Sequence, residues 1–194
     1  MKKILTLALI SFSFFAKAQT SAGNMMLGGS LSITSTNYKT SNDNDNSGFS
    51  LAPSFGYFVK DNFAIGASIG FNSSRFGTGP GESQTFGFGV GPFVRLYKFT
   101  SSEQFAFFGQ GGISINSSRT ETGNLVTDRV SSVAFSVSPG FAYFFNEHWA
   151  GEFAFSLLSV TSANHDNNGS DRTSVNFGFN SFNPSIGIRY HFGN

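Results

Sequence analysis

The sequence predicts an all-β protein: an eight-stranded antiparallel transmembrane β-barrel with short periplasmic turns and longer extracellular loops. Three observations carry that reading. Charged residues make up only 12% of the chain, about half the ~25% of an ordinary soluble protein. Phenylalanine occurs 26 times and glycine 23 times, in runs whose period of two is that of a β-strand. The connections between these runs are short and long in strict alternation, which is how an outer-membrane barrel is laid out.

The chain begins MKKILTLALISFSFFAKA. Two lysines, an apolar stretch from Ile4 to Phe15 and the small-residue site Ala16-Lys17-Ala18 read as a secretory signal peptide over residues 1–18. The apolar part is too short for the ~20 residues of a spanning helix. No cysteine follows it, so neither a lipid anchor at the mature end nor a disulfide framework is expected. Residues 19–194 then form one barrel domain. Loss of Lys2, Lys3 and Lys17 leaves nine basic side chains against eleven acidic ones, a mature charge of −2. That balance offers nucleic acid no electrostatic footprint.

The first strand is NMMLGGSLSITST (24–36). The even strands share a pattern: LAPSFGYF (51–58), VGPFVRLY (90–97), VSPGFAYF (137–144) and FNPSIGIRY (182–190). Their prolines, at 53, 92, 139 and 184, lie 39, 47 and 45 residues apart, a spacing of one hairpin per repeat. The odd strands begin with an acid, a polar residue, an aromatic and an alanine: DNFAIGASIGF (61–71), EQFAFFGQGGISI (103–115) and EHWAGEFAFSL (147–157). The short connections fall around Lys60-Asp61, at 98–104 and around Asn146-Glu147. The long polar ones are 37–48, 76–84, 119–129 and 162–172.

Parity sorts the faces. Leu27, Leu31, Phe55, Ile65, Phe71, Phe88, Ile115, Phe135 and Phe153 share one side, and Gly, Ala and Ser dominate the other. The second face is too small and too uncharged to meet water, so the apolar face is expected to look outward to lipid. The prolines then face lipid as well. A proline cannot donate to a ladder, and a local bulge near the short-turn rim is the expected remedy. A bulge is also expected in strand eight, because Val175, Phe177 and Phe179 are odd while Ile186, Ile188 and Tyr190 are even.

Three charges lie within strands at inward parity: Arg95, Glu152 and Arg189. Glu152 and Arg189 should meet across neighbouring strands, with Arg95 at similar depth but farther around the barrel. They form a candidate plug or gate; the alternative is that they only neutralise one another, since buried charges need partners. Phe58, Phe93, Tyr97, Phe108, Phe144 and Leu158 should help to fill the lumen. Tyr57, Tyr143, Trp149, Tyr190 and Phe192 cluster near the short turns as candidate interfacial aromatics.

Two further motifs carry less. DNDNSG (43–48) opens like a calcium loop, but Ser54 stands where the closing acid belongs. His165, Asp166 and Ser170 share one polar stretch, yet spacing alone makes no hydrolase, and His148 and His191 belong to the opposite rim. The expectation is a non-enzymatic protein with no metal and no cofactor.

GYFVKDNFAIG (56–66) and SIGIRYHF (185–192) resemble the porin-family outer-membrane β-barrel proteins of Bacteroidota, related in architecture to the OmpA/OmpX-type eight-stranded barrels. The resemblance runs over about residues 23–192. It implies a location in the outer membrane of a Gram-negative bacterium, with outer-membrane lipid as surroundings. It also implies handling by the barrel-assembly machinery through the C-terminal strand, where Phe192 matches the terminal aromatic. A peptidoglycan-binding domain is not expected. The motifs speak for the architecture and not for an activity. The expected function is in envelope integrity, with small-solute passage left open, or, as the alternative, surface adhesion through the long polar loops, toward a ligand the sequence does not identify.

Overall fold

The computed structural model describes residues 19–36, 45–77, 81–123, 125–165, 170–178 and 185–193. Residues 1–18, the expected signal peptide, lie outside the described residues. Among the described residues there are ten strands. They are β1 (Met25–Thr36), β2 (Asn46–Lys60), β3 (Phe63–Phe76), β4 (Ser83–Phe99), β5 (Phe105–Thr122), β6 (Leu125–Phe144), β7 (Trp149–Ala154), β8 (Leu158–His165), β9 (Ser170–Phe177) and β10 (Ser185–Phe192). Eight of them close an antiparallel ring: β1 to β7 in order, then β10, which returns to β1. β8 continues the wall along Val130–Val137 of β6, and β9 pairs with β8.

The expected seventh strand thus occupies two segments, and the reason is Pro139. Phe141 faces Phe153, whereas Val137 faces Leu158, so one extra residue is accommodated on the β7–β8 side. Phe155 N donates to Pro139 O (2.9 Å) and Leu157 N to Val137 O (3.0 Å) across this bulge. The extra residue reverses parity. Leu158 therefore shares the outward side with Val137 and does not fill the lumen, contrary to the expectation from sequence.

The expected bulges at the other prolines are corrected too. Register is unbroken from Leu51↔Phe71 to Ser54↔Ser68, and from Val90↔Ile115 to Phe93↔Gly112; only the pairs between them lapse. The ladder toward the preceding strand is continuous at Gly29↔Pro53, Ala67↔Pro92 and Gly109↔Pro139. In all three the missing N–H falls toward the following strand, in the middle of the wall and not at its rim. Pro184 lies outside the described residues. The expected eighth strand is divided between β9 and β10, and the parity change falls between Phe177 and Ser185.

The short turns are where parity puts them, before Phe63, Phe105 and Trp149. Two of the expected long loops are largely strand: β5 reaches Thr122 and β6 starts at Leu125, while β8 reaches His165 and β9 starts at Ser170. Polar side chains at 119–129 and 162–165 disguise ladder-forming backbone as loop.

Outward-facing Leu27, Ile33, Phe71, Phe88, Ile115, Phe135 and Ile188 stand exposed around the ring. A soluble monomer does not present an apolar surface of that extent. Buried apolar residues collect instead at the short-turn end: Met26, Phe58, Ala64, Phe93, Tyr97, Ala106, Phe108, Ala142, Phe144 and Ala150. The four even-numbered repeats each send one ring inward there, namely Phe58, Tyr97, Phe144 and His191. Their centroids lie 6.0 Å (Phe58–Tyr97), 6.5 Å (Tyr97–Phe144), 5.2 Å (Phe144–His191) and 5.9 Å (His191–Phe58) apart. Phe58 is paired with Ala64 and Phe144 with Ala150. The alanine of the aromatic-alanine motif is the small partner that lets these two rings lie across the lumen.

Residues 19–24 close the base below these rings. Gln19 Nε2 donates to Asn146 O (3.0 Å), and Thr20 Oγ1 to Asn62 Oδ1 (2.6 Å). Asn62 holds φ 64°, a left-handed turn conformation that asparagine tolerates. Its N–H donates to Thr20 O at 2.7 Å.

Candidate functional site

Directly above the ring layer the lumen turns polar. Glu152 enters from β7 with small neighbours on either side in its row, Ala142 of β6 and Gly187 of β10. Arg189, two residues beyond Gly187, is flanked by Ala150 and Gly28. The small residues leave the space in which two long charged side chains meet. Arg189 Nε donates to Glu152 Oε1 at 2.9 Å, and Arg189 Nη1 to Ser54 Oγ at 3.1 Å.

Arg95 arrives from β4, three strands around the ring from β7. Its strand is farther around the barrel at similar depth, as parity predicts, and its side chain crosses the lumen to join the pair. Arg95 Nη1 donates to Glu152 Oε1 at 2.6 Å and to Tyr97 Oη at 2.9 Å. Its Nε and Nη2 both donate to Gln110 Oε1, at 2.9 and 2.7 Å. The guanidinium also lies 4.2 Å from the Phe108 ring centroid, a cation–π distance. Tyr97 Oη completes the cluster with 3.0 Å to the same Glu152 oxygen. Three donors therefore converge on Oε1, and Arg95, Glu152 and Arg189 are each buried.

The cluster forms the floor of a cavity of about 220 Å³. Ser30, Ser54, Ser68, Ser138 and Ser185 line its walls with Gly29, Gly187 and Ala52. Above it the inward residues Ser32, Ser50, Gly70, Ser114 and Ser136 are half-exposed, so the cavity opens toward the long-loop rim. Below it the four rings and residues 19–24 close the other end. The lumen is a blind vestibule.

Tyr97, Gln110, Ser54 and His191 are members of this interior that sequence reasoning did not single out as site residues. Inward parity was the available signal for Tyr97, Gln110 and Ser54. Nothing in the sequence marks Gln19 and Thr20 as buried, because their burial depends on where the closed ring leaves its base.

The five candidate interfacial aromatics gather at the short-turn end. Tyr57, Tyr143 and Trp149 are exposed. Trp149 lies 4.9 Å from Tyr190 and Tyr190 5.9 Å from Phe192, centroid to centroid. At the other rim His165 Nδ1 meets Asp128 Oδ2 at 2.9 Å, a partner on β6 that its own loop did not suggest. Asp166 lies outside the described residues, as do Asp43 and Asn44 of the DNDNSG stretch. The rest of that stretch includes Asn46, Ser47 and Gly48, the opening residues of β2, paired with β1. Among the described residues no group of three or more acidic or imidazole side chains could hold a metal.

The family model described as "Outer membrane protein beta-barrel domain" matches residues 4–193. No curated protein matches the sequence. Among solved structures the fold is similar to Neisserial surface protein A from Neisseria, at 13% identity and TM-score 0.53, over 87% of this chain and 96% of that one. It is also similar to the outer membrane protein OprG of Pseudomonas aeruginosa, at 15% identity and TM-score 0.52, over 91% and 99%. A third is Outer Membrane Protein W of E. coli, at 15% identity and TM-score 0.51, over 89% and 99%.

Proposed function

The chain belongs to the outer membrane protein beta-barrel domain family and sits in the outer membrane of a Gram-negative bacterium, and on that premise we propose that it is a non-enzymatic envelope protein whose barrel is shut by its own side chains. The observation that carries this reading is the stacking of two seals, one directly above the other. The Arg95–Glu152–Arg189 cluster acts as a plug, with the stack of Phe58, Tyr97, Phe144 and His191 immediately beneath it. Small eight-stranded barrels have interiors that side chains can fill. In this reading the protein contributes a stable, sealed wall element to the envelope and passes no solute along its axis. Refolded mature protein in planar lipid bilayers should stay electrically silent at neutral pH. Discrete, reproducible openings from protein shown to be folded would overturn the plug and make the three charges a gate.

A second reading, surface interaction, rests on strand length. A tilted strand crosses the hydrocarbon in ~9–11 residues, whereas β5 has 18 and β6 has 20. The β5–β6 hairpin, broadened by β8 and β9, stands beyond that band as a sheet able to meet another surface. Replacing 119–129 with a two-residue turn should leave a folded barrel and abolish attachment of the bearing cells. Unchanged attachment would remove the reading. The β10 strand ending at Phe192 is the proposed handle for the assembly machinery; Phe192→Ala should slow insertion in vivo without altering the refolded barrel.

A further inference from the structure

We propose that the vestibule is a binding site for a small oxyanion, a carboxylate or phosphate group held over the guanidinium floor. The inference rests on the sealed-barrel reading in one respect: a blind vestibule retains what a pore would pass. Among the described residues two arginines but one glutamate line the cavity, so its floor carries one positive charge in excess. Uncompensated charge in a low-dielectric wall is costly, and among the described lining residues no second carboxylate supplies the balance. A mobile anion entering from the open end does.

The chemistry of the floor selects the class. Guanidinium groups present N–H donors in a planar fork that matches carboxylate and phosphate oxygens. Both arginines are held in place, Arg95 by Gln110, Tyr97 and Glu152 and Arg189 by Glu152 and Ser54. Their donors are therefore aimed before a ligand arrives, which lowers the ordering cost of binding. Glu152 already accepts three hydrogen bonds on Oε1, which disfavours a cation as the preferred guest. The serine hydroxyls of the wall can donate to the remaining oxygens. A volume of about 220 Å³ has room for roughly seven waters at ~30 Å³ each, or for an acetate- or phosphate-sized ion with a few waters, and excludes polymers.

The test uses the refolded barrel in detergent micelles, with Arg Nε–Hε resonances followed during separate titrations with sodium acetate and with inorganic phosphate at constant ionic strength. Saturable shifts at Arg95 and Arg189 are expected with at least one of the two, and the stronger one identifies the preferred oxyanion. Shifts that only rise linearly with both, as with chloride, would overturn the site. Gln110→Glu is the decisive variant, because it is nearly isosteric, keeps an acceptor for Arg95 and makes the floor neutral. It should weaken binding by at least about tenfold, while Glu152→Gln, which raises the excess charge, should strengthen it. Unchanged affinity in Gln110→Glu would also overturn the proposal. Heat-modifiable gel mobility confirms folding of each variant. Planar-bilayer current on the same preparations separates the two readings: binding with current refutes the sealed barrel and keeps the site, whereas silence without binding refutes the site and keeps the seal.

Discussion

The two halves of this barrel are built from the same alternating strands but behave as different materials. Toward the short turns the inward positions carry the rings together with Met26 and the alanines packed among them, and the lumen is solid. Toward the long connections, the inward positions are Ser, Gly and Asn, and the lumen is hollow. Both halves share the same hydrogen-bonded wall and the same apolar outer face. The difference shows that barrel closure and lumen filling are separate problems. The wall is held by ladder bonds, which suffice in a medium where unsatisfied backbone groups cost several kcal/mol. Lumen packing then adds stability and a seal at one end only.

Substitutions that break this contrast should rank by how much buried structure they strand. Glu152→Leu leaves Arg95 and Arg189 buried without their shared carboxylate and is expected to cost about 3–5 kcal/mol, read from denaturant unfolding of the barrel in lipid vesicles. A cost under about 1 kcal/mol would mean that water already solvates the cluster. Phe144→Ala removes one of the four rings and should cost roughly 3 kcal/mol or more, and dye entry through the base in a liposome assay should rise. If dye stays excluded, the charge cluster and residues 19–24 suffice for the seal without the full ring layer.

The same glycine-to-alanine change made in each half sharpens the comparison. A Cβ on Gly140 would collide with Phe153 O and the Phe108 ring, whereas one on Gly70 would find only Gly89 O at 3.9 Å. Gly140→Ala is expected to destabilise by about 1–3 kcal/mol and Gly70→Ala by under about 0.5 kcal/mol, by the same unfolding measurement. Equal effects would show that the hollow half is packed in solution. The smallest effect belongs to the rim, where His165→Ala removes a partly exposed contact with Asp128 and should change stability by about 0.5 kcal/mol or less. Trp149, the sole tryptophan, reports the outer face directly. Its fluorescence should be quenched most by lipids brominated near the headgroup, and stronger quenching from mid-chain bromines would move the interface away from these aromatics.

Much of the wall was legible because strand parity is a local property. Alternation sorted Leu27, Phe71 and Ile115 to one face and Glu152, Arg95 and Arg189 to the other without knowledge of any neighbour. The proline repeat marked the even strands for the same reason. The errors occurred where the backbone departs from strict alternation or where polar residues continue a ladder. One extra residue opposite Pro139 turned Leu158 outward, and the polar run 119–129 was taken for a loop although most of it pairs.

The alternation, the short-turn positions and the apolar outer face are readable residue by residue, because each follows from the side-chain period of an extended chain. Ring closure is what brings Arg95 to Glu152 from three strands away, gathers four rings into one layer and puts Gln19 and Thr20 beneath them. Those contacts are made across a lumen whose width and stagger exist only after the ring has closed, and no local period encodes which side chains meet at its centre.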